Sequence, residues 1–167
     1  MRVRGNLTPK LPIIYSLFIN NSDLYAILDR DINFPERYIL FGEWMAATHS
    51  IPYTRLPNRF IAFDIYDRFE ESFLSRSLIS NLLGSTSISL TPVLWNGNET
   101  EMPREQGLKD MVKTSSRFYD GEVEGIYIKV ERGNKVLRRS KVVRGDFISG
   151  NDHWTKGRIK WNGLLTE

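Results

Sequence analysis

The 167-residue chain has no cysteine and only two histidines. That excludes a disulfide framework and a thiolate metal site and leaves too little imidazole for a histidine zinc site, so any metal must be bound by oxygen. There is no run of roughly 20 apolar residues that could span a bilayer. The opening stretch MRVRGNLTPKLPIIYSLFINNSD puts basic residues ahead of apolar ones, but the apolar part is short and is interrupted by Tyr15, Ser16 and Asn20. It also lacks the small-residue cleavage site of a signal peptide. The stretch reads as the interior of a domain, and the expected setting is cytoplasmic with no membrane partner. Neither sign of charge is in excess. Lys and Arg number 23 against 20 Asp and Glu, a net +3, which permits a nucleic-acid partner without arguing for one.

What is present is ordinary globular composition, 41% hydrophobic and 12% aromatic, at a length that suits one domain over 1–167 with a single core. No repeat, low-complexity tract or Pro/Gly-rich linker divides it. The chain reads as alternating strands and helices, an α+β pattern. Leu11 to Leu28 carries apolar residues at mixed spacing and is expected to be a helix broken near Asn20-Asn21. Arg37 to Trp44 and Phe60 to Tyr66 read as strands; the second is apolar on both parities except at Asp64, which predicts a central strand. Glu71 to Leu83 predicts a helix closed by a left-handed cap at Gly84, and Pro103 to Lys113 a second with proline at its start. Leu90 to Trp95 predicts a short strand. Glu124 to Val130 and Lys135 to Val143 predict a hairpin turning through Glu131-Arg132-Gly133-Asn134. Trp154 and Trp161 are expected as packing anchors in a polar tail.

Two acids stand out by strand periodicity. Ile39, Phe41 and Glu43 share one face, as do Glu124, Ile126, Ile128 and Val130, so each glutamate extends an apolar stripe. A carboxylate buried there needs a cation, a metal or ligand hydroxyls; a structural ion pair with an arginine is the competing reading. In the strand before Phe147, Leu137, Arg139, Lys141 and Val143 share one parity, and Arg138, Ser140, Val142 and Arg144 the other. Cations inside a strand suit phosphate, because phosphoryl transfer depends mainly on positioning and charge stabilisation. A solvated edge strand is the competing reading, and the spacing of Lys141 and Arg144 sets them on opposite faces.

Taken together, YILFGEWMAATHSIPY (Tyr38–Tyr53), FIAFDIYD (Phe60–Asp67), VEGIYIKV (Val123–Val130) and KVVRGDF (Lys141–Phe147) resemble, in order and spacing, the ATP-dependent RNA ligase family of covalent nucleotidyltransferases. The resemblance runs over nearly the whole chain, including Leu56-Pro57, Asp152-His153-Trp154 and Asn162-Gly163-Leu164. It implies an α+β adenylation domain of mostly antiparallel sheets with flanking helices, lacking its first strand. It implies ATP and Mg2+ as cofactors and RNA ends or nicks as partner. Gly42-Glu43 resembles the block whose acid contacts the ATP ribose. Phe63 resembles the aromatic that stacks on adenine, a contact worth about 1–3 kcal/mol. Glu124 resembles the acid that serves the divalent metal, and Lys141 the lysine on the ATP phosphates, with Arg144 a weaker match. Arg4 resembles the Ser-Arg block that follows the nucleophile. His49 reads as a structural histidine.

The family opens with Lys-x-Asp-Gly, whose lysine takes the AMP, and the chain contains no such block. Lys160-Trp161-Asn162-Gly163 approximates it but matches the family's tail, and Lys10 has no motif around it. The expectation is a chain starting late in the domain, with Lys-x-Asp-Gly encoded within roughly 20–40 residues upstream of Met1, the length of one strand and its turn. The alternatives are an inactive nucleotide- or RNA-binding remnant and half of a split ligase, completed by a second polypeptide that supplies the missing strand.

Overall fold

The computed structural model describes residues 23, 26, 31, 32, 34–48, 51–145 and 159–165. The helix expected from Leu11 to Leu28 lies outside these residues, apart from Asp23 and Ala26, both helical. The chain forms two compact units. The first holds the described residues up to Trp44 together with Phe60–Thr91 and Arg132–Val136; the second holds Met45–Arg59, Pro92–Glu131 and the described residues from Leu137 onward.

In the first unit a single helical turn, α1 (Phe34–Arg37), leads directly into β1 (Tyr38–Trp44), which pairs antiparallel with β2 (Phe60–Asp67). As its apolar composition predicts, β2 is central: it also pairs antiparallel with β3 (Ser72–Phe73) and parallel with β4 (Ser89–Leu90). Between these short strands runs α2 (Arg76–Leu83), whose Ile79 and Leu83 are buried. The core gathers Phe34, Ala62, Ile65, Leu74, Ile79, Leu83 and Ile88, with Tyr38, Leu40 and Leu90 packed against it.

Four expectations change here. The helix is shorter than Glu71–Leu83, because Ser72 and Phe73 pair with Asp67 and Tyr66 as a strand, and side-chain periodicity carries no sign of a ladder partner. Gly84 has φ −66° and ψ −15°, so it continues right-handed instead of forming a left-handed cap. The strand expected over Leu90 to Trp95 keeps only Leu90, which joins Ser89 against Ala62 and Ile61. On β1 the stripe Ile39–Phe41–Glu43 is not the buried face. Ile39 is 43% exposed and Glu43 is exposed, while Tyr38 and Leu40, of the other parity, meet the core.

In the second unit a 3-10 turn (Glu99–Glu101) carries a capping box with Asn98 and precedes α3 (Glu105–Met111), which starts two residues beyond Pro103. Two long strands follow, β5 (Gly125–Arg132) and β6 (Lys135–Val143), whose loop end, Arg132–Val136, belongs to the first unit. The loop is Gly133-Asn134 alone, tighter than the four residues expected, and Gly133 has φ +58°. A glycine at positive φ in the first loop position is the arrangement of a type II′ hairpin. Trp161 is 66% exposed, so it does not anchor the tail, and Trp154 lies outside the described residues. Among the described residues no helix is long and apolar enough to cross a membrane. The architecture is α+β, with predominantly antiparallel pairing.

Candidate functional site

Of the residues singled out by sequence, Glu43 and Phe63 fall in the first unit and Glu124, Lys141 and Arg144 in the second. Arg4, with His49 and Lys10, lies outside the described residues.

Glu43 and Phe63 come together at an irregularity in the β1–β2 ladder. The register steps from Phe41↔Asp64 to Gly42↔Ala62, which makes Phe63 the extra residue of a β-bulge, a device that re-aims side chains beside functional sites. Gly42 is required by close approach. A Cβ there would stand 2.3 Å from the Phe60 ring and 2.8 Å from the Ile61 carbonyl oxygen. Glu43, opposite Ile61, is exposed, and its side chain makes no hydrogen bond or ion pair among the described residues. It carries no desolvation cost that a partner must offset, so the burial argument for its function does not hold and the family resemblance alone assigns it. Phe63 is half-buried.

The hairpin carries Lys141 on β6, and Glu124 stands one residue ahead of β5. A two-residue loop sets Arg132 opposite Lys135, and regular pairing counted from there puts Ile128 opposite Arg139 and Ile126 opposite Lys141. Residues opposite one another share a face; Glu124 lies just ahead of β5, beyond the regular count. Gly125 allows the strands to close at this end, because a Cβ on it would lie 2.5 Å from the Val142 carbonyl oxygen. The Arg144 N–H donates to the Glu124 carbonyl at 3.1 Å. Glu124 is half-buried and its Oε1 accepts a hydrogen bond from the Tyr53 hydroxyl. It therefore meets a hydroxyl, with no ion pair among the described residues. The acid that takes the arginine is Glu122, at 3.0 Å from Arg144. Lys141 is exposed and makes no ion pair among the described residues. Further along the hairpin lies a groove of about 300 Å³, lined by Ile128, Val130, Arg139, Met102, Glu99 and Arg138, the last two joined as an ion pair.

Sequence reasoning missed Tyr53 and Asn162 as contributors to this site. Asn162 is 4% exposed. Its Oδ1 accepts from Thr48 Oγ1 at 2.8 Å and from the Tyr53 N–H at 2.9 Å, and its Nδ2 donates to the Met45 and Ala47 carbonyls at 2.9 and 3.3 Å. The Asn162-Gly163 pair was visible as part of the family-like tail, but nothing local announced partners more than a hundred residues away. Lys160, two residues earlier, is exposed.

The secondary structure and its pairing define an α+β protein with predominantly antiparallel strands. The sequence model of one family, RNA ligase, matches residues 14–143; the chain belongs to the RNA ligase family. Neither a curated protein nor a solved structure matches it.

Proposed function

We propose that the chain serves ATP-dependent RNA end joining as a nucleotidyltransferase domain, with Glu124 and Lys141 of the hairpin handling the metal and phosphates of ATP. The observation that carries this reading is the chemistry set at the hairpin: a half-buried carboxylate held by the Tyr53 hydroxyl, and an exposed ammonium without an ion pair among the described residues.

The donor set fits Mg2+ better than a transition metal. There is no thiolate in the chain and no cluster of three His, Cys, Asp or Glu among the described residues. Mg2+ is commonly held by one or two carboxylates plus phosphates and water instead of an all-protein cage. When bound, it neutralises charge developing on the phosphoryl oxygens. Glu124 would hold it through one oxygen, and Lys141 would bind the ATP phosphates and stabilise departing pyrophosphate. In the first unit, taken by itself, the family resemblance matches Glu43 to a ribose contact and Phe63 to an adenine stack. Arg4 would add a further contact, and Arg144, tied to Glu122, would reach the phosphates only if that pair opened.

In the complete reaction a lysine amine attacks the α-phosphorus of ATP, forming a P–N bond as the bond to pyrophosphate breaks. The RNA 5′-phosphate then displaces the lysine to give RNA-adenylate. An RNA 3′-hydroxyl attacks that, releasing AMP. Such a lysine must be made nucleophilic by its surroundings, and exposed Lys160 beside structurally committed Asn162 is poorly suited. A second reading is a domain that binds ATP and RNA ends without adenylating itself, alone or with a second polypeptide that brings the lysine.

The test is to incubate the chain with radiolabelled ATP and Mg2+, and score bound nucleotide and covalent protein-AMP separately. Binding that is lost in Lys141→Ala supports the nucleotide site. A covalent band supports ligase chemistry within these 167 residues, and a band only after mixing with a Lys-x-Asp-Gly polypeptide supports the split form. No ATP binding at millimolar nucleotide overturns both readings.

A further inference from the structure

Tyr53 and Glu124 are 71 residues apart in sequence and joined by a hydrogen bond from the tyrosine hydroxyl to Oε1. The surroundings of Tyr53 fix where that hydroxyl can be. Its N–H donates to Asn162 Oδ1 at 2.9 Å, and its carbonyl accepts from the Gly163 N–H at 2.8 Å. The next two N–H groups, of Thr54 and Arg55, both donate to the Phe118 carbonyl at 2.9 Å. The ring meets Phe118 and Tyr119 edge-on, with centroids 6.2 and 5.4 Å apart. Backbone and ring are thus both constrained, and phenylalanine would fill the same space. The hydroxyl is the one part of the side chain that packing does not require, and it is placed on the acid just ahead of β5. Asn162 is committed in turn, its amide joining Met45, Ala47, Thr48 and Tyr53.

We infer that Tyr53 is a positioning residue for Glu124, occupying Oε1 so that Oε2 alone faces a divalent cation, with Asn162 holding Tyr53 in register. The inference rests on the reading of Glu124 as the metal-binding acid. A carboxylate with one oxygen occupied binds in monodentate fashion, the mode that suits an octahedral ion keeping several waters. Hydrogen-bond partners that orient a ligand in this way are commonly worth 10–100-fold in metal affinity.

The test uses the whole chain and Mn2+ as the probe, with free Mn2+ read by electron paramagnetic resonance. Tyr53→Phe, which keeps the ring, is expected to weaken Mn2+ binding about tenfold, the low end of that range, while the melting temperature stays within a few degrees. Placed in a Glu124→Gln background, the same substitution should change Mn2+ affinity no further, a dependence that a purely structural tyrosine would not show. The metal-induced infrared difference spectrum should show the wide carboxylate splitting of monodentate binding in the wild type and a narrower one in Tyr53→Phe. Wild-type affinity in Tyr53→Phe, alongside loss in Glu124→Gln, overturns the inference and leaves the metal reading standing. Wild-type affinity in Glu124→Gln overturns the metal reading itself, and the role of Tyr53 with it.

Discussion

Arg37 grips Asp67 through Nε at 2.9 Å and Nη2 at 2.6 Å, meeting a carboxylate that is 1% exposed at the end of the central strand. The other carboxylate oxygen accepts from the Phe69 and Glu70 N–H groups at 2.9 and 3.2 Å, which shapes the turn out of β2. Arg37 also lies over the Tyr38 and Phe69 rings, at 5.0 and 5.8 Å. One ion pair thereby joins α1, the core strand and the turn toward β3.

Burial pushes the Asp67 carboxyl upward, but Arg37 and the two backbone amides outweigh it and hold the group below its ordinary value. A depressed folded-state pKa contributes stability that is fully present above the unfolded value of about 3.9 and is lost as pH falls through the folded one. Below about pH 4 the melting temperature of the wild type should therefore fall more steeply than that of Asp67→Asn. At neutral pH, Arg37→Ala should cost about 2–3 kcal/mol, less than a fully buried pair because Arg37 is 32% exposed and the amide bonds remain. Calorimetry across pH measures both; parallel acid slopes for wild type and Asp67→Asn would remove the linkage.

The glycines of the two family-like acid blocks should differ in their tolerance of a methyl group. At Gly42 the nearest obstacle is the Phe60 ring, which can turn aside, with the Ile61 carbonyl behind it; at Gly125 a Cβ meets the Val142 carbonyl and the Val143 Cα, all backbone. Overpacking costs typically about 1–3 kcal/mol. Urea unfolding should place Gly125→Ala toward the upper end and Gly42→Ala toward the lower. The reverse order would mean that the hairpin spreads more easily than the ring moves.

Asn162→Asp replaces an amide that donates to two carbonyls, at 2.9 and 3.3 Å, with oxygens that repel them. An unsatisfied or repelled buried group costs about 1–3 kcal/mol, more when charged, so unfolding should show a loss of about 3 kcal/mol. Lys160→Ala, at an exposed side chain, should stay within about 0.5 kcal/mol of wild type and leave any protein-AMP formation unchanged. Loss of a covalent adduct in Lys160→Ala with stability intact would instead make Lys160 the nucleophile.

Much of the fold could be read from sequence, for reasons visible in particular residues. Phe60–Asp67 is apolar on both parities and proved central, and Lys135–Val143 is bounded by its turn and proved a strand over those residues. What stayed hidden was set by pairing. The bulge at Phe63 and the short β3 depend on partners that periodicity does not encode, and β3 accounts for the overlong helix; which face of β1 meets the core was likewise set by its partners, Tyr38 and Leu40 packing there instead of the stripe that ends in Glu43. The same holds at the site. Glu124 and Lys141 were singled out by an apolar stripe, by cations inside a strand and by the family-like blocks, not by the turn, which proved two residues long where four were expected. Tyr53 and Asn162 were not, because their contacts cross 71 and 109 residues of sequence.

Lys141 and Arg144 stand in one sequence block, KVVRGDF, yet the structure gives them different surroundings. Lys141 is exposed and without an ion pair among the described residues, so removing it should change stability by no more than about 0.5 kcal/mol. Arg144 is 22% exposed and pairs with Glu122 at 3.0 Å, so Arg144→Ala, which keeps the backbone N–H, should cost about 1 kcal/mol, the upper end for pairs of this exposure. Nucleotide binding should show the opposite order. If Lys141 meets the phosphates, Lys141→Ala should lose about tenfold in ATP affinity, equivalent to about 1.4 kcal/mol, and far less in adenosine affinity. Arg144→Ala should leave both within about threefold once measured well below its melting temperature. Equilibrium binding of fluorescent ATP and adenosine analogues to the two variants separates these outcomes. Equal loss of both ligands in Lys141→Ala would place that lysine away from the phosphates, and a larger ATP loss in Arg144→Ala would mean that the pair with Glu122 opens to receive them.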